Sequence, residues 1–162
     1  MTVERVDIQR YMGLWYAVAH IPNSFEAMCA QGTTAYYALL PDGQVEVTNT
    51  CYDADGKPSR VVGRAWVPNT ADPAKLKVSF VRFLGLSLFP ADYWVLDLAA
   101  DYSYAVVGSP SSSFGWILSR TPTLPESVLA GIYARLAANG YTPEAFVAID
   151  QTMHLSKRLP PG

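Results

Sequence analysis

The rhythm of the turns constrains this chain most. From residue 13 to residue 120, short β-rich runs alternate with clusters of turn-forming residues, the spacing of a sandwich or barrel rather than of alternating strand–helix units. Eight runs are predicted, at 13–21, 32–40, 44–52, 58–67, 75–82, 92–98, 102–108 and 114–120. They are divided by "PDG" at 41–43, "DADGK" at 53–57, "PNTADP" at 68–73, "LGLSLFPA" at 84–91, "AAD" at 99–101 and "SPSSS" at 109–113. Short links make consecutive strands antiparallel neighbours, and an eight-stranded sheet of this order removes its edges by closing on itself. The expected fold class is all-β: an eight-stranded antiparallel up-and-down barrel.

The pattern changes after "SRTPTLPES". Val128, Leu129, Ile132, Tyr133 and Leu136 recur at helical spacing, Thr123 and Glu126 form a capping-box pair, and Asn139-Gly140 offers a stop. One amphipathic helix is predicted, packed on the outside of the barrel, the only large surface left for its apolar face. "AFVAID" at 145–150 adds a short strand. Residues 1–150 are read as one domain, and 151–162, ending in "HLSKRLPPG", as a disordered or appended tail.

Charge excludes some partners. With 12 basic against 14 acidic residues and no basic cluster longer than Lys157-Arg158, there is no footprint for nucleic acid. No apolar run is long enough to span a bilayer as a helix, and residues 1–12 carry Glu4, Arg5, Asp7 and Arg10, unlike a signal peptide. Two cysteines, Cys29 and Cys51, allow one intramolecular bridge, and no histidine stands at metal-ligand spacing from them. In an up-and-down barrel alternate loops share an end, which brings both cysteines to one rim. A bridge there would contribute about 3 kcal/mol. The other reading is two free buried thiols. A disulfide favours an oxidising compartment, and so a periplasmic or outer-membrane protein whose signal peptide is absent from this sequence.

Three blocks in order, "GLWY" at the start of the first strand, "LAADYSYAVVG" at 98–108 and "WILSRTP" at 116–122, resemble the lipocalin family. With Ala35-Tyr36-Tyr37-Ala38-Leu39, the similarity is to its bacterial outer-membrane and apolipoprotein D-like branch, over roughly residues 7 to 150. The resemblance implies structural roles for Gly13, Trp15 and Arg120: the indole lies across the closed barrel base and the guanidinium packs over it. Gly13 would let the chain approach that base without a Cβ in the way.

Function should then lie in the cavity. If Trp15 points inward, alternation places Ala17 and Ala19 inward too, and small side chains leave room. The family match adds Tyr37, Val47, Asn49, Tyr93 and Trp116 as ligand-binding candidates. Tyrosines and an amide among apolar walls suit an amphiphile with its acyl chain deep and its polar head near the rim. Asp97, inside "YWVLDLAA", faces in if Tyr93 does; with the opposite parity Trp94, Leu96 and Leu98 are inside and Asp97 is in water. The strip from Leu84 to Phe89 is too apolar for a solvated loop. It reads as a ligand gate, a peripheral membrane contact, a homodimer contact, or core folded into the mouth.

The expected function is binding, storage or transport of a fatty acid, lysophospholipid or similar amphiphile, without cofactor or metal. An enzyme is the alternative, a lipid-modifying or isomerising lipocalin with a reactive cysteine as nucleophile. A pigment or haem carrier would need His20 as axial ligand, and strict alternation puts His20 on the face opposite Trp15.

Overall fold

The computed structural model of the chain describes residues 1–156. Eight strands make the barrel: β1 (Gly13–His20), β2 (Gln31–Leu39), β3 (Val45–Tyr52), β4 (Pro58–Trp66), β5 (Lys75–Ser79), β8 (Ala91–Leu98), β9 (Tyr104–Gly108) and β10 (Gly115–Ser119). Each pairs antiparallel with the next, and β10 pairs back onto β1 to close the ring. Between β5 and β8 a separate two-stranded hairpin, β6 (Val81–Phe83) and β7 (Leu86–Leu88), interrupts the succession. The tight turns are built by side chains that imitate backbone. At 53–57 one Asp53 oxygen accepts from the backbone N–H groups of Asp55 and Lys57, both at 2.9 Å, while Gly56 takes φ +85°.

Two cores share the barrel wall. Inside it Trp15, Ala17, Ala35, Tyr37, Val45, Val47, Ala65, Val95, Val107 and Leu118 pack together. Outside it Ala19, Leu96, Val106 and Ile117 pack against Ile132 and Leu136 of a helix, α2 (Glu126–Ala138), with Tyr141 and Phe146. Gly108 sets the closeness of this second contact: a Cβ there would lie 2.2 Å from the Tyr141 hydroxyl. That hydroxyl accepts from Ser109 N and donates to Ser109 O.

Several expectations from sequence are corrected. Helix α2 does not use a capping box: its N-cap is Pro125, without a side-chain cap bond. The C-terminus is as expected. Asn139-Gly140 ends the helix with Gly140 at φ +86°, Tyr141 N bonding Leu136 O at 3.0 Å and Gly140 N bonding Ala137 O at 3.1 Å, a Schellman pattern.

Residues 151–156, expected in the tail, are structured. Gln151 is buried and donates to Ala17 O at 2.6 Å and Thr33 O at 2.8 Å, and a short helix, α3 (Thr152–Ser156), follows. Near the top of the barrel β1 and β2 part, because their pairing covers only Gly13–Tyr16 against Thr34–Tyr37. Strand β11 (Val147–Ala148) pairs with the end of β1, and Gln151 bridges the carbonyls left open. The rest of the tail, 157–162, lies outside the described residues.

Two β-bulges change which residues face inward. On β1 the register steps from Ala17↔Leu118 to Ala19↔Ile117, so Val18 is extra. On β8 it steps from Val95↔Val107 to Asp97↔Val106, so Leu96 is extra. Each bulge breaks the period of two and presents one more side chain to α2. Ala19, expected in the cavity, therefore lies under the helix. Asp97 faces outward although Tyr93 faces inward, and its Oδ2 accepts from Arg135 Nε of α2 at 2.6 Å.

Candidate functional site: the barrel interior and its mouth

The closed end is sealed by a short N-terminal helix, α1 (Ile8–Tyr11), whose start is capped by Asp7. Trp15 is fully buried and donates through Nε1 to Tyr11 O at 2.8 Å. The Arg120 guanidinium carbon stands 3.7 Å from the centre of the Trp15 ring, and its nitrogens donate to the carbonyls of Arg10, Leu14 and Tyr102. Gly13 has a different role from the expected one. A Cβ there would meet Arg120 Nη1 at 3.5 Å, an ordinary contact, whereas its φ of +102° is what calls for glycine.

Above this plug three tyrosines join. Tyr93 Oη lies 2.7 Å from Tyr11 Oη and 2.8 Å from Tyr37 Oη, so one hydroxyl links one from α1 and one from β2. Burial holds all three phenols neutral. It raises Tyr37 to about 12 and pushes Tyr11 and Tyr93 well above the ordinary value. Beside them a void of about 20 Å³, room for one water, lies between Val6, Ile8 and Met12 of the N-terminal segment and wall residues that include Val45, Ala65 and Leu76.

Towards the mouth the interior opens. Tyr37, Val47 and Gly63 form one cross-strand row, and the next inward row is Ala35, Asn49 and Val61. Val47 is 3% exposed, whereas Val61 is 52% exposed although it shares the inward face of β4 with Gly63 and Ala65. Solvent therefore reaches the upper barrel down to the Asn49 level. Of the residues expected to line the cavity, Ala17, Tyr37, Val47, Asn49, Tyr93 and Trp116 lie on its walls or floor, and Ala19 does not.

The bulge at Val18 has a second effect that strict alternation missed. Beyond it His20 pairs with Trp116 and turns to the inward side. There Glu26 Oε1 receives three donors: Asn23 Nδ2 at 2.6 Å, Trp116 Nε1 at 3.1 Å and His20 Nδ1 at 3.2 Å. Burial alone would raise the Glu26 carboxyl, but the bonds from His20, Asn23 and Trp116 outweigh it and hold the group below its ordinary value. The cluster ties the 22–31 loop to β1 and β10. It was legible in part: Asn23 accepts from Glu26 N as the N-cap of a single helical turn, Ser24–Glu26, so the Asn-x-x-Glu spacing is a capping signal. Tyr11, the third phenol of the floor, carried no signal apart from its place before Gly13.

At the same rim Cys29 and Cys51 are joined in a disulfide, with Cα atoms 5.4 Å apart. Both sulfurs are thereby removed as nucleophiles. The 84–89 strip does not fold into the mouth. It forms the outer part of the β6–β7 hairpin, with Phe83 64%, Leu84 86%, Leu86 65% and Phe89 80% exposed. Leu84 and Gly85 at its tip have φ +52° and +79°, the type I′ signature, and a leucine is an expensive occupant of that position.

Comparison with known proteins places this geometry. Residues 6–151 match the family model described as a lipocalin-like domain. Temperature-induced lipocalin-1 of Arabidopsis thaliana is 37% identical over 142 residues, covering 86% of this chain and 76% of that protein. Mouse apolipoprotein D is 37% identical over 157 residues, covering 91% and 78%. The outer membrane lipoprotein Blc of Escherichia coli K12 is 33% identical over 150 residues, covering 92% and 81%. Among solved structures, insecticyanin of Manduca sexta superposes with a TM-score of 0.73 at 19% identity, covering 92% of this chain and 82% of that one.

Proposed function

From the premise that this chain belongs to the lipocalin family, whose barrels bind and carry small hydrophobic ligands, we propose that it holds a hydrophobic amphiphile in the upper barrel and exchanges it with a lipid surface in the cell envelope. The observation that carries this reading is the contrast within one interior: a packed base below Tyr37 and a solvent-reached, largely apolar cup above it, walled by Ala17, Ala35, Asn49, Val61 and Trp116. Small side chains on β1 and β2 give the cup its width, and Asn49 supplies a polar contact within it. A binding role suits the site better than catalysis, because the disulfide occupies the only cysteines and Glu26 is engaged as a latch.

The envelope is supported by the disulfide, which persists in oxidising compartments, and by the relative Blc, an outer membrane lipoprotein. The β6–β7 hairpin supports contact with a bilayer. Its exposed tip is apolar and Arg82 lies beside it; Arg64, across an outer cleft of about 380 Å³, is paired with Asp42 at 3.8 Å. Exposed apolar side chains beside the Arg82 guanidinium fit an interface of acyl chains and phosphates.

The test is native mass spectrometry on protein purified without denaturation, with solvent extraction of whatever co-purifies. A bound amphiphile is expected as a discrete mass increment lost on extraction. A protein that carries nothing and takes up no lipid from mixed vesicles would overturn the proposal.

A further inference from the structure

The tyrosine floor has one proton too many. Three hydroxyls carry three O–H donors, and the two bonds that join them use two. Whichever way the chain of bonds runs, one O–H is left without an acceptor among the described residues. The rings of Tyr11 and Tyr37 are buried and that of Tyr93 is partly buried, and among the apolar side chains that line the void beside the hydroxyls only the Met12 thioether is an acceptor, a weak one. A donor in such surroundings calls for an oxygen from outside the chain. The void beside it is only about 20 Å³ and is lined in part by Val6, Ile8 and Met12 of the N-terminal segment, so a group reaching the hydroxyls must present a small acceptor at the end of a slender chain.

The charges around the interior decide what kind of oxygen fits. Among the described residues no cation is bonded to the three hydroxyls: Arg120, whose charge reaches Tyr11 and Tyr37, lies on the Trp15 ring with its nitrogens spent on the carbonyls of Arg10, Leu14 and Tyr102. An ionised carboxylate brought to this floor would lose its hydration without gaining a cation in hydrogen-bond contact, since the Arg120 nitrogens are already engaged. At the other end of the cup the Glu26 carboxylate stands at the mouth, with Oε1 saturated by three donors and no donor to Oε2 among the described residues. It opposes an anionic head lodged there as well.

We infer that the Tyr11–Tyr93–Tyr37 hydroxyl chain is an oxygen-binding subsite that selects ligands with a neutral acceptor, a ketone, aldehyde, ester carbonyl or alcohol, entering the barrel oxygen first with the hydrocarbon body in the cup above. This rests on the carrier reading and sharpens it. It also reverses the orientation expected from sequence, in which the acyl chain was deep and the polar head at the rim.

The experiment compares dodecan-2-one, 1-dodecene and dodecanoate as competitors of the neutral fluorophore N-phenyl-1-naphthylamine. It uses the wild-type chain and the variant Tyr11→Phe/Tyr37→Phe/Tyr93→Phe, which keeps every ring and removes every hydroxyl. The carbonyl stretch of ¹³C-labelled dodecan-2-one is read by infrared difference spectroscopy on both proteins. Expected are a carbonyl band shifted down in the wild type and unshifted in the variant, a loss on the order of fivefold in ketone affinity with 1-dodecene unchanged, and dodecanoate the weakest competitor. Should the triple variant not fold, Tyr37→Phe alone is expected to give a smaller loss in the same direction. An unshifted band in the wild type, or equal losses for ketone and alkene, overturns the subsite and leaves the carrier reading standing. Displacement by none of the three competitors overturns the carrier reading and the subsite with it.

Discussion

The Arg120 guanidinium lies 3.7 Å above the Trp15 ring, joining the end of the last barrel strand to the beginning of the first at the point where the barrel is sealed. The two residues stand 105 positions apart. Their contact is held from the sides as well. Arg120 donates to Arg10 O at 2.8 Å and Leu14 O at 3.0 Å, and Trp15 donates to Tyr11 O at 2.8 Å. Ring, cation and N-terminal helix therefore form one unit.

Arg120→Ala is expected to destabilise the fold by about 2–4 kcal/mol, the sum of a cation–π contact and two or three charge-assisted bonds to carbonyls that would be left unpaired. Arg120→Lys should recover only part of this, because an ammonium cannot reach three separated carbonyls while lying flat on an indole. Urea unfolding followed by Trp fluorescence measures both variants. A loss for Arg120→Ala no larger than for an exposed arginine such as Arg60 would show that the base is sealed by Trp15 and Tyr11 alone.

The disulfide closes 22 residues between Cys29 and Cys51, and the loop-closure entropy it removes from the unfolded chain corresponds to about 3 kcal/mol. Cys29→Ser/Cys51→Ser is expected to lower the urea midpoint accordingly while leaving ligand uptake intact, because neither sulfur is offered to the ligand as a reactive thiol. Loss of uptake in a variant that remains folded would bring back the reading in which a cysteine does chemistry on the lipid.

Much of this was legible in sequence. The eight strands follow turn chemistry that depends on residues within a few positions of one another, such as Asp53, Gly56 and Lys57, and local rules capture local causes. The parity of β1 and β8 was not legible. Nothing in "WYAVAHI" or "YWVLDL" marks Val18 or Leu96 as an extra residue, because each bulge exists to fit Ala19 and Leu96 under a helix more than thirty residues further along the chain. A one-residue slip reverses every later side chain. That single effect moved Ala19 out of the cavity, turned Asp97 towards Arg135 and brought His20 to the mouth. The tyrosine floor was missed for a related reason: Tyr37 and Tyr93 were placed inside, but their partner Tyr11 comes from outside the barrel strands.

The hairpin tip offers a substitution that separates stability from interaction. Leu84 has φ +52° and is 86% exposed, so it is held in a left-handed conformation without burial to compensate. Leu84→Asn places the residue that type I′ turns prefer and is expected to stabilise the fold by up to about 1 kcal/mol. The same change removes an apolar side chain from the proposed lipid contact and should weaken co-sedimentation with vesicles of phosphatidylethanolamine and phosphatidylglycerol. Stabilisation with undiminished vesicle binding would mean that the tip does not touch lipid.

The Glu26 latch predicts a pH dependence whose direction follows from its titration. The carboxyl ionises more readily in the folded chain than at its ordinary value of 4.5, because the bonds from His20, Asn23 and Trp116 outweigh the cost of burial. The folded state therefore binds fewer protons than the unfolded state as the pH falls through that region. The stabilisation is fully present above the ordinary value and drains away as pH drops through the lower folded one. Urea midpoints measured from about pH 7 to about pH 3 should fall more steeply for the wild type than for Glu26→Gln, which cannot titrate. The variant keeps an acceptor oxygen for Trp116 Nε1 and Asn23 Nδ2 and so should stay folded at neutral pH, with a modest loss from the weaker neutral bonds. Since Trp116 donates to the titrating oxygen, its fluorescence should change over the same pH interval in the wild type only. Parallel midpoint curves for the two proteins would show that the acid sensitivity of the mouth arises elsewhere, and that the loop is held by the disulfide rather than by Glu26.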